Sequence, residues 1–407
     1  MSLLLAALAL VSTACAGGGP PADATELVVV VNAPFSQDAF VGRTIEQGAR
    51  LAVEEVNAEG GIQTPGGAVY TLRLRTMDNE RSPERALANV RTALREGAVA
   101  MVDEGTGVDA SWEVAAEGNL PIGIVYQGGM GLVDHESRPN VFRIAPTDRG
   151  IAFRYAEYLV PQGLKVALLH DDSGYGQEGK MALDAAFGFT PEAVAAEVSV
   201  PAGAEDLAPQ VLEARRSGAT ALLVWGLAST VAKVVRAARG AGWDVPVYAP
   251  PSGEDPLVRQ ELADHPEWVD GLVFAAGRMT AEKGPDPFIE FKRAYEERFG
   301  PDEVGVSTAA GEAVIQPPDY AMYPYDFVHV LAAAIGVAGG PEGAGLLDAL
   351  EQVDVQGANG DERGFNEKSH EGVVDDDTYF AVFEDMTYRP VQDDPLSSTL
   401  YTIEQTP

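Results

Sequence analysis

The chain has 407 residues, 46% of them hydrophobic and 22% charged, which is enough to bury sizeable cores in two or three domains and unlike a disordered or fibrous chain. Its 28 basic residues stand against 62 acidic ones, a formal net charge of −34. That balance excludes a nucleic-acid partner, which needs a basic face, and disfavours adhesion of the protein body to an anionic membrane.

Leu3 to Val11 is an unbroken apolar run, too short to span a bilayer as a mature helix, and it ends in Ser12-Thr13-Ala14-Cys15. Residues 1–15 read as an export signal, and the Gly- and Pro-rich residues 16–25 as a flexible linker. Cys15 is the only cysteine, so no disulfide forms within the chain. No later stretch reaches the ~18 apolar residues of a transmembrane helix, and Val328 to Val337 is too short.

The remainder alternates strand and helix. Leu27 to Val31 is a β-branched run suited to a strand buried on both faces. Arg43 to Glu59 has helical spacing and stops at Gly60-Gly61. Tyr70 to Met77 alternates as a strand. Ser82-Pro83-Glu84 supplies an N-cap, a first-turn proline and an early acid for a helix to Glu96. Strands at Val99 to Val102 and Pro121 to Val125 flank a helix at Ala110 to Glu117. The pattern restarts with strands at Val166 to Leu169, Ala193 to Val198, Ala221 to Val224, Val245 to Tyr248 and Leu272 to Phe274. Helices at Gln177 to Phe187, Asp206 to Arg216 and Thr230 to Ala241 lie between them. Then come helices at Tyr325 to Ala338 and Gly345 to Val353, and a hairpin of Thr378 to Glu384 with Thr387 to Val391. So many βα units predict an α/β protein with two doubly wound parallel-sheet lobes. In such sheets ligands bind beyond the carboxyl ends of the strands, so those loops are where a site is expected.

Gly174, Gly176 and Gly179 match G-x-G-x-x-G, and Gly174, Gly179 and Lys180 match most of a phosphate-binding loop. Met181 stands where that loop needs Ser or Thr, and the acids at Asp171 and Asp172 repel a pyrophosphate. The glycines therefore read as a tight turn presenting Tyr175, and no cofactor is expected. There is no G-x-S-x-G, no H-E-x-x-H and no metal-spaced His/Cys set, so the chain does not read as an enzyme. His135, His265, His329 and His370 are scattered. Asp375-Asp376-Asp377 reads as a solvated loop rather than a cation site.

Four ordered motifs carry a resemblance. They are Gly48 to Ile62 (GARLAVEEVNAEGGI), Asp78-Asn79-Glu80-Arg81-Ser82-Pro83, Val141 to Asp148 (VFRIAPTD) and Asp171 to Gly176 (DDSGYG). Together they resemble the type I periplasmic binding proteins of the leucine/isoleucine/valine-binding family, from about Leu27 to Val391. The resemblance implies two lobes joined by a multi-strand hinge and closing on a small polar solute, a branched-chain or related amino acid, for delivery to an ABC permease. An amide, a urea-like compound or a cationic solute is the alternative, and a sensory module shares the same fold. On this pattern residues 26–146 and 275–350 form the first lobe. Residues 147–274 and 351–395 form the second lobe and hinge, and 396–407 a tail. Cys15 resembles a lipobox cysteine, which implies an exported, lipid-anchored monomer that meets the membrane only through its anchor.

The resemblance also implies the site. Thr106 and Gly107 follow the strand ending at Val102 and would meet a ligand carboxylate, although Asp103 and Glu104 beside them are unusual there. Tyr126 and Gln127 follow Val125. Tyr175 and Trp225 are the second-lobe aromatics, and Glu254, with Asp255 as its rival, is the acid for a ligand ammonium. Phe40 is an early-loop lid aromatic, and Tyr325, with Tyr323, part of a wall near the hinge.

Overall fold

The computed structural model describes residues 19–281, 283–373 and 377–400. Cys15, the export signal, Asp375 and Asp376 lie outside the described residues.

The first half builds one sheet and its helices. These are β1 (Thr25–Ala33), α1 (Ala39–Ala58), β2 (Ile62–Gln63), β3 (Val69–Asp78), α2 (Pro83–Arg95), β4 (Ala98–Asp103), α3 (Val108–Glu117), β5 (Ile122–Ile124) and β6 (Val141–Arg143). The sheet order is β2-β3-β1-β4-β5-β6, parallel except for β2 with β3. Alternation along β1 divides its side chains between two cores. Val29, Val31 and Ala33 pack with α1, and Val30 packs against Val90 and Ala93 of α2. Ser82 caps α2 through the Arg85 N–H, as its motif predicts.

The chain then crosses through α4 (Asp148–Leu159) into a second sheet. It continues as β7 (Val166–Asp171), α5 (Gly174–Phe187), β8 (Val194–Val200), α6 (Ala208–Arg216), β9 (Ala221–Trp225), α7 (Ala228–Gly240), β10 (Val247–Ala249), α8 (Pro256–Glu261) and β11 (Leu272–Ala276). It next returns to the first lobe with α9 (Asp286–Val304), kinked at Gly300-Pro301. There follow the hairpin β12 (Gly305–Ser307) and β13 (Ala313–Ile315), then α10 (Met322–Ala338), α11 (Ala344–Leu350), β14 (Asp354–Gln356) and β15 (Glu362–Gly364). Finally β16 (Tyr379–Glu384) and β17 (Thr387–Pro390) complete the second sheet, whose order is β17-β16-β11-β10-β9-β7-β8. Only β16 is reversed there, pairing antiparallel with β11 on one side and β17 on the other.

The chain therefore folds as two parallel-sheet lobes with helices on both faces. Three differences from the expected elements stand out. First, α4 and α9 were not read as helices. Phe288, Phe291, Tyr295 and Phe299 of α9 are buried in the first-lobe core. Second, residues 351–365 pack on the first lobe rather than the second, because Val353, Ala358 and Phe365 join its core. Arg363 fixes this segment by bonding Asp326 of α10 at 3.1 Å and Asp377 at 2.5 Å. Asp377 is thus a buried ion-pair partner and not a solvated loop residue. Third, the described part of the tail is docked, with Leu400 fully buried in the first core and Ser397 donating to Asp394 at 2.6 Å.

Asp319–Ala338 is long and apolar enough by composition to cross a membrane, yet 67% of that window is buried. It is a core helix here, lying so close to α1 that a Cβ on Gly48 would come within 2.1 Å of the Ala321 carbonyl oxygen.

Candidate functional site

A cavity of about 470 Å³ lies between the lobes. Its walls come from the carboxyl ends of parallel strands, where the peptide chain turns outward. The first lobe gives Asp38, Phe40 and Arg43 after β1, Arg81 after β3, Glu104 after β4, and Tyr126 with Gln127 after β5. The crossover gives Pro146, Asp148 and Ile151. The second lobe gives Tyr175 after β7, Leu227 to Ser229 after β9, and Ser252 with Asp255 to Leu257 after β10. Tyr320 closes the wall from the turn before α10.

The first-lobe wall is a hydrogen-bonded network of acids. Glu104 has no exposed side-chain surface. It accepts Asn79 Nδ2 at 3.2 Å, the Thr106 N–H at 3.1 Å and Gln127 Nε2 at 2.9 Å. Arg81 lies 3.6 Å from it and donates to Asp38 at 2.6 Å. Burial works against the charge of Arg81, but Glu104 and then Asp38 outweigh it and hold the guanidinium above its ordinary pKa. Behind them Asp103 pairs with Asn32 at 2.7 Å and accepts the Gly105 N–H at 2.7 Å. Burial nevertheless raises Asp103 to about 7.

The second-lobe wall is built the same way. Asp171 accepts the Leu227 N–H at 2.7 Å and the Thr230 hydroxyl at 2.8 Å, which fixes the start of α7. Ser173 caps α5 through the Gly176 N–H. Helix α5 begins three residues before the expected Gln177, so Tyr175 sits in its first turn. Of the three glycines of the nucleotide-like motif, Gly176 and Gly179 are closely packed, whereas a Cβ on Gly174 would meet nothing within 4 Å. A Cβ on Gly179 would lie 2.0 Å from Cδ1 of Trp225, and one on Gly176 2.2 Å from the Asp171 carbonyl oxygen.

The predicted site residues divide accordingly. Phe40, Tyr126, Gln127 and Tyr175 line the cavity. Thr106 sits behind the wall, its hydroxyl accepting Gln127 Nε2 at 3.0 Å. Gly107 adopts φ +79° at the start of α3, and a Cβ there would meet Pro83 and Ala86 of the neighbouring helix, away from the cavity. Trp225 is completely buried in the core beneath α5. Tyr325 donates to Glu55 at 2.6 Å on another face of the first lobe, beside a separate shallow hollow with His329. Tyr323 is buried against Tyr320, ring centroids 5.0 Å apart.

Glu254 and Asp255 face in different directions. Glu254 turns inward and accepts the Tyr388 hydroxyl at 2.6 Å and the Asp319 N–H at 3.0 Å. Asp255 is on the cavity wall and also caps α8 through the Leu257 N–H. Burial, then the nearby Asp38, raise Asp255 to about 6.

Sequence reading missed Arg43, Arg81 and Asp148. Arg81 and Asp148 lay inside motifs already singled out, so their position after strand ends was the available signal. Asp148 is 3% exposed and its Oδ2 has no hydrogen-bond partner. Burial, then Glu178, raise it to about 7, against the pull of Arg143. Among the described residues no group of three or more His, Cys, Asp or Glu is placed to hold a metal ion.

The sequence that builds these two lobes matches a known family. The model of the family described as "Periplasmic binding protein" fits residues 30–385. The chain belongs to this periplasmic binding protein family. An "Amino acid binding protein" of Pseudomonas aeruginosa is 25% identical over 347 residues, covering 81% of this chain and 84% of that one. A "Leu/Ile/Val-binding protein homolog 7" of Brucella abortus is 24% identical, covering 86% of each. Among solved structures, a type 1 periplasmic binding protein of Bordetella pertussis superposes with TM-score 0.76 at 20% identity, covering 91% of this chain and all of that one. The branched-chain amino acid transporter substrate-binding protein LivJ of Streptococcus pneumoniae, in complex with isoleucine, gives 0.73 at 20%, covering 90% and 99%. These likenesses establish the type I periplasmic binding protein fold.

Proposed function

We propose that this periplasmic binding protein captures a small amino-acid-class solute outside the cytoplasm by closing its lobes, and hands it to an ABC importer. The observation that carries the reading is the cavity itself, enclosed by strand tips of both lobes and lined by paired charges and tyrosine rings. A solute touching both walls stabilises the closed arrangement, so occupancy shifts an open–closed population. The relatives' names, which refer to amino acids and to Leu/Ile/Val, support the solute class. No bond chemistry is part of this function. The apolar run to Val11 and the single Cys15 support export and a lipid anchor, so Cys15→Ser is expected to release the protein from the membrane fraction.

The test is a thermal-shift screen of the protein against the twenty amino acids. A ligand at a hundred times its Kd stabilises the folded state by about 2.7 kcal/mol. One or more saturable shifts are expected, and a screen without any contradicts the reading.

A further inference from the structure

Several hydrogen-bond donors around the cleft are already matched to the protein's own carboxylates. In the first lobe, Glu104 takes up Asn79, Gln127 and the Thr106 N–H, while Asp103 takes up the Gly105 N–H. Arg81 lies between Asp38 and Glu104. In the second lobe, Asp171 takes the Ser173 and Leu227 N–H groups. A solute carboxylate finds these donors in use. Four carboxylates line the cavity, Asp38, Glu104, Asp148 and Asp255, against two guanidinium groups, Arg43 and Arg81.

Asp148 is the group whose need is unmet. Its Oδ2 is buried at the cavity wall without a partner. The basic residue that acts on it, Arg143, directs its hydrogen bonds elsewhere. It donates to Glu371 at 2.8 and 2.5 Å and to the carbonyl oxygens of Gly129 and Gln127 at 2.9 and 3.3 Å. Glu178 adds a second negative charge nearby. A buried carboxylate left in this state is costly, and a cation brought to it removes that cost. Tyr175 and Tyr320 both feel the Asp148 charge. The Tyr320 ring lies 5.0 Å from that of Tyr126, and all three tyrosines line the same cavity. Aromatic faces attract cations, the more strongly when water is excluded.

We infer that the cleft recognises an alkylammonium group, paired with Asp148 and enclosed by Tyr126, Tyr175 and Tyr320, and so prefers solutes of net positive charge to neutral zwitterions. This rests on the cleft being the solute site. The Asp148 carboxylate supplies the charge-assisted contact, and the rings supply a shape that suits methylene or methyl groups next to nitrogen.

The test uses the full chain at pH 8, with putrescine, choline, lysine and leucine as separate probes in thermal denaturation and titration calorimetry. Putrescine stands for a primary amine, choline for a quaternary one and lysine for a basic amino acid. At least one of the three cations is expected to bind at least tenfold tighter than leucine. Asp148→Asn is expected to weaken that cation at least tenfold while leaving the unliganded melting temperature within a few degrees. Tyr175→Leu serves as a second variant, expected to weaken the same cation. Leucine binding that exceeds every cation and ignores Asp148→Asn overturns the inference and leaves solute binding intact. No binding by any of the three cations overturns it as well, and the amino-acid screen then judges the broader function separately.

Discussion

Glu254 Oε1 accepts the Tyr388 hydroxyl at 2.6 Å, which ties the loop after β10 to the last strand of the second sheet. The same oxygen accepts the Asp319 N–H and so joins that loop to the chain entering α10. Neighbouring Asp255 faces the cavity instead. Glu254→Ala is therefore expected to lower stability by about 1–3 kcal/mol, because it leaves buried donors without an acceptor. Asp255→Ala is expected to change solute affinity more than stability. Urea denaturation and calorimetry on the two variants separate these effects, and the opposite pattern would return the binding role to Glu254.

A second expectation concerns Gly179. A Cβ at this position overlaps the Trp225 ring. Gly179→Ala should cost about 1–3 kcal/mol by overpacking, seen as a lower urea midpoint with an unchanged slope. An unaltered midpoint would show that Gly179 is not there for close packing.

The acids predict an unusual pH profile. Asp103, Asp148, Glu254 and Asp377 are raised to about 7 and Asp255 to about 6, mainly by burial, from ordinary values of 3.8 for Asp and 4.5 for Glu. Between the ordinary and raised values the folded chain binds more protons than the unfolded chain. Stability must then fall as pH rises through that window. The solute-free protein should melt at a higher temperature at pH 5.5 than at pH 8, and Asp148→Asn should flatten part of the slope. A melting temperature that climbs steadily from pH 5.5 to 8 would contradict the burial of these groups.

Tyr325→Phe should leave solute affinity within about twofold, since its hydroxyl serves Glu55 outside the cleft. A tenfold loss on calorimetry would place Tyr325 in the binding wall after all.

Much of the fold was legible because burial imposes simple patterns. The β-branched run of β1 is buried on both sheet faces and reads as one block. The Ser82-Pro83 start of α2 appears where its capping chemistry places it. Helix α9 was missed although Phe288, Phe291, Tyr295 and Phe299 recur at helical spacing. The charged residues between them and the Gly300-Pro301 kink weaken that stripe. The return of residues 351–365 to the first lobe depends on Arg363 meeting Asp326 and Asp377, a pairing between distant segments that no local pattern records.

The site was legible to the level of loops and not of side chains. Tyr126, Gln127 and Tyr175 follow strand ends and line the cavity. Trp225 also ends a strand, yet its side chain falls on the α5 face of the sheet and is buried. Glu254 and Asp255 lie on either side of the boundary between a short turn and α8, so one residue decides whether a carboxylate faces the cavity or Tyr388. Asp148 went unnoticed because its significance lies in a bond that it lacks, which only the packed arrangement reveals.

The central claim is that the two lobes close around a solute held between them. Small-angle X-ray scattering of the protein, with and without a saturating amount of the solute giving the largest thermal shift, tests it directly. The account predicts a smaller radius of gyration with solute than without it. Identical scattering curves with bound and free protein would contradict it.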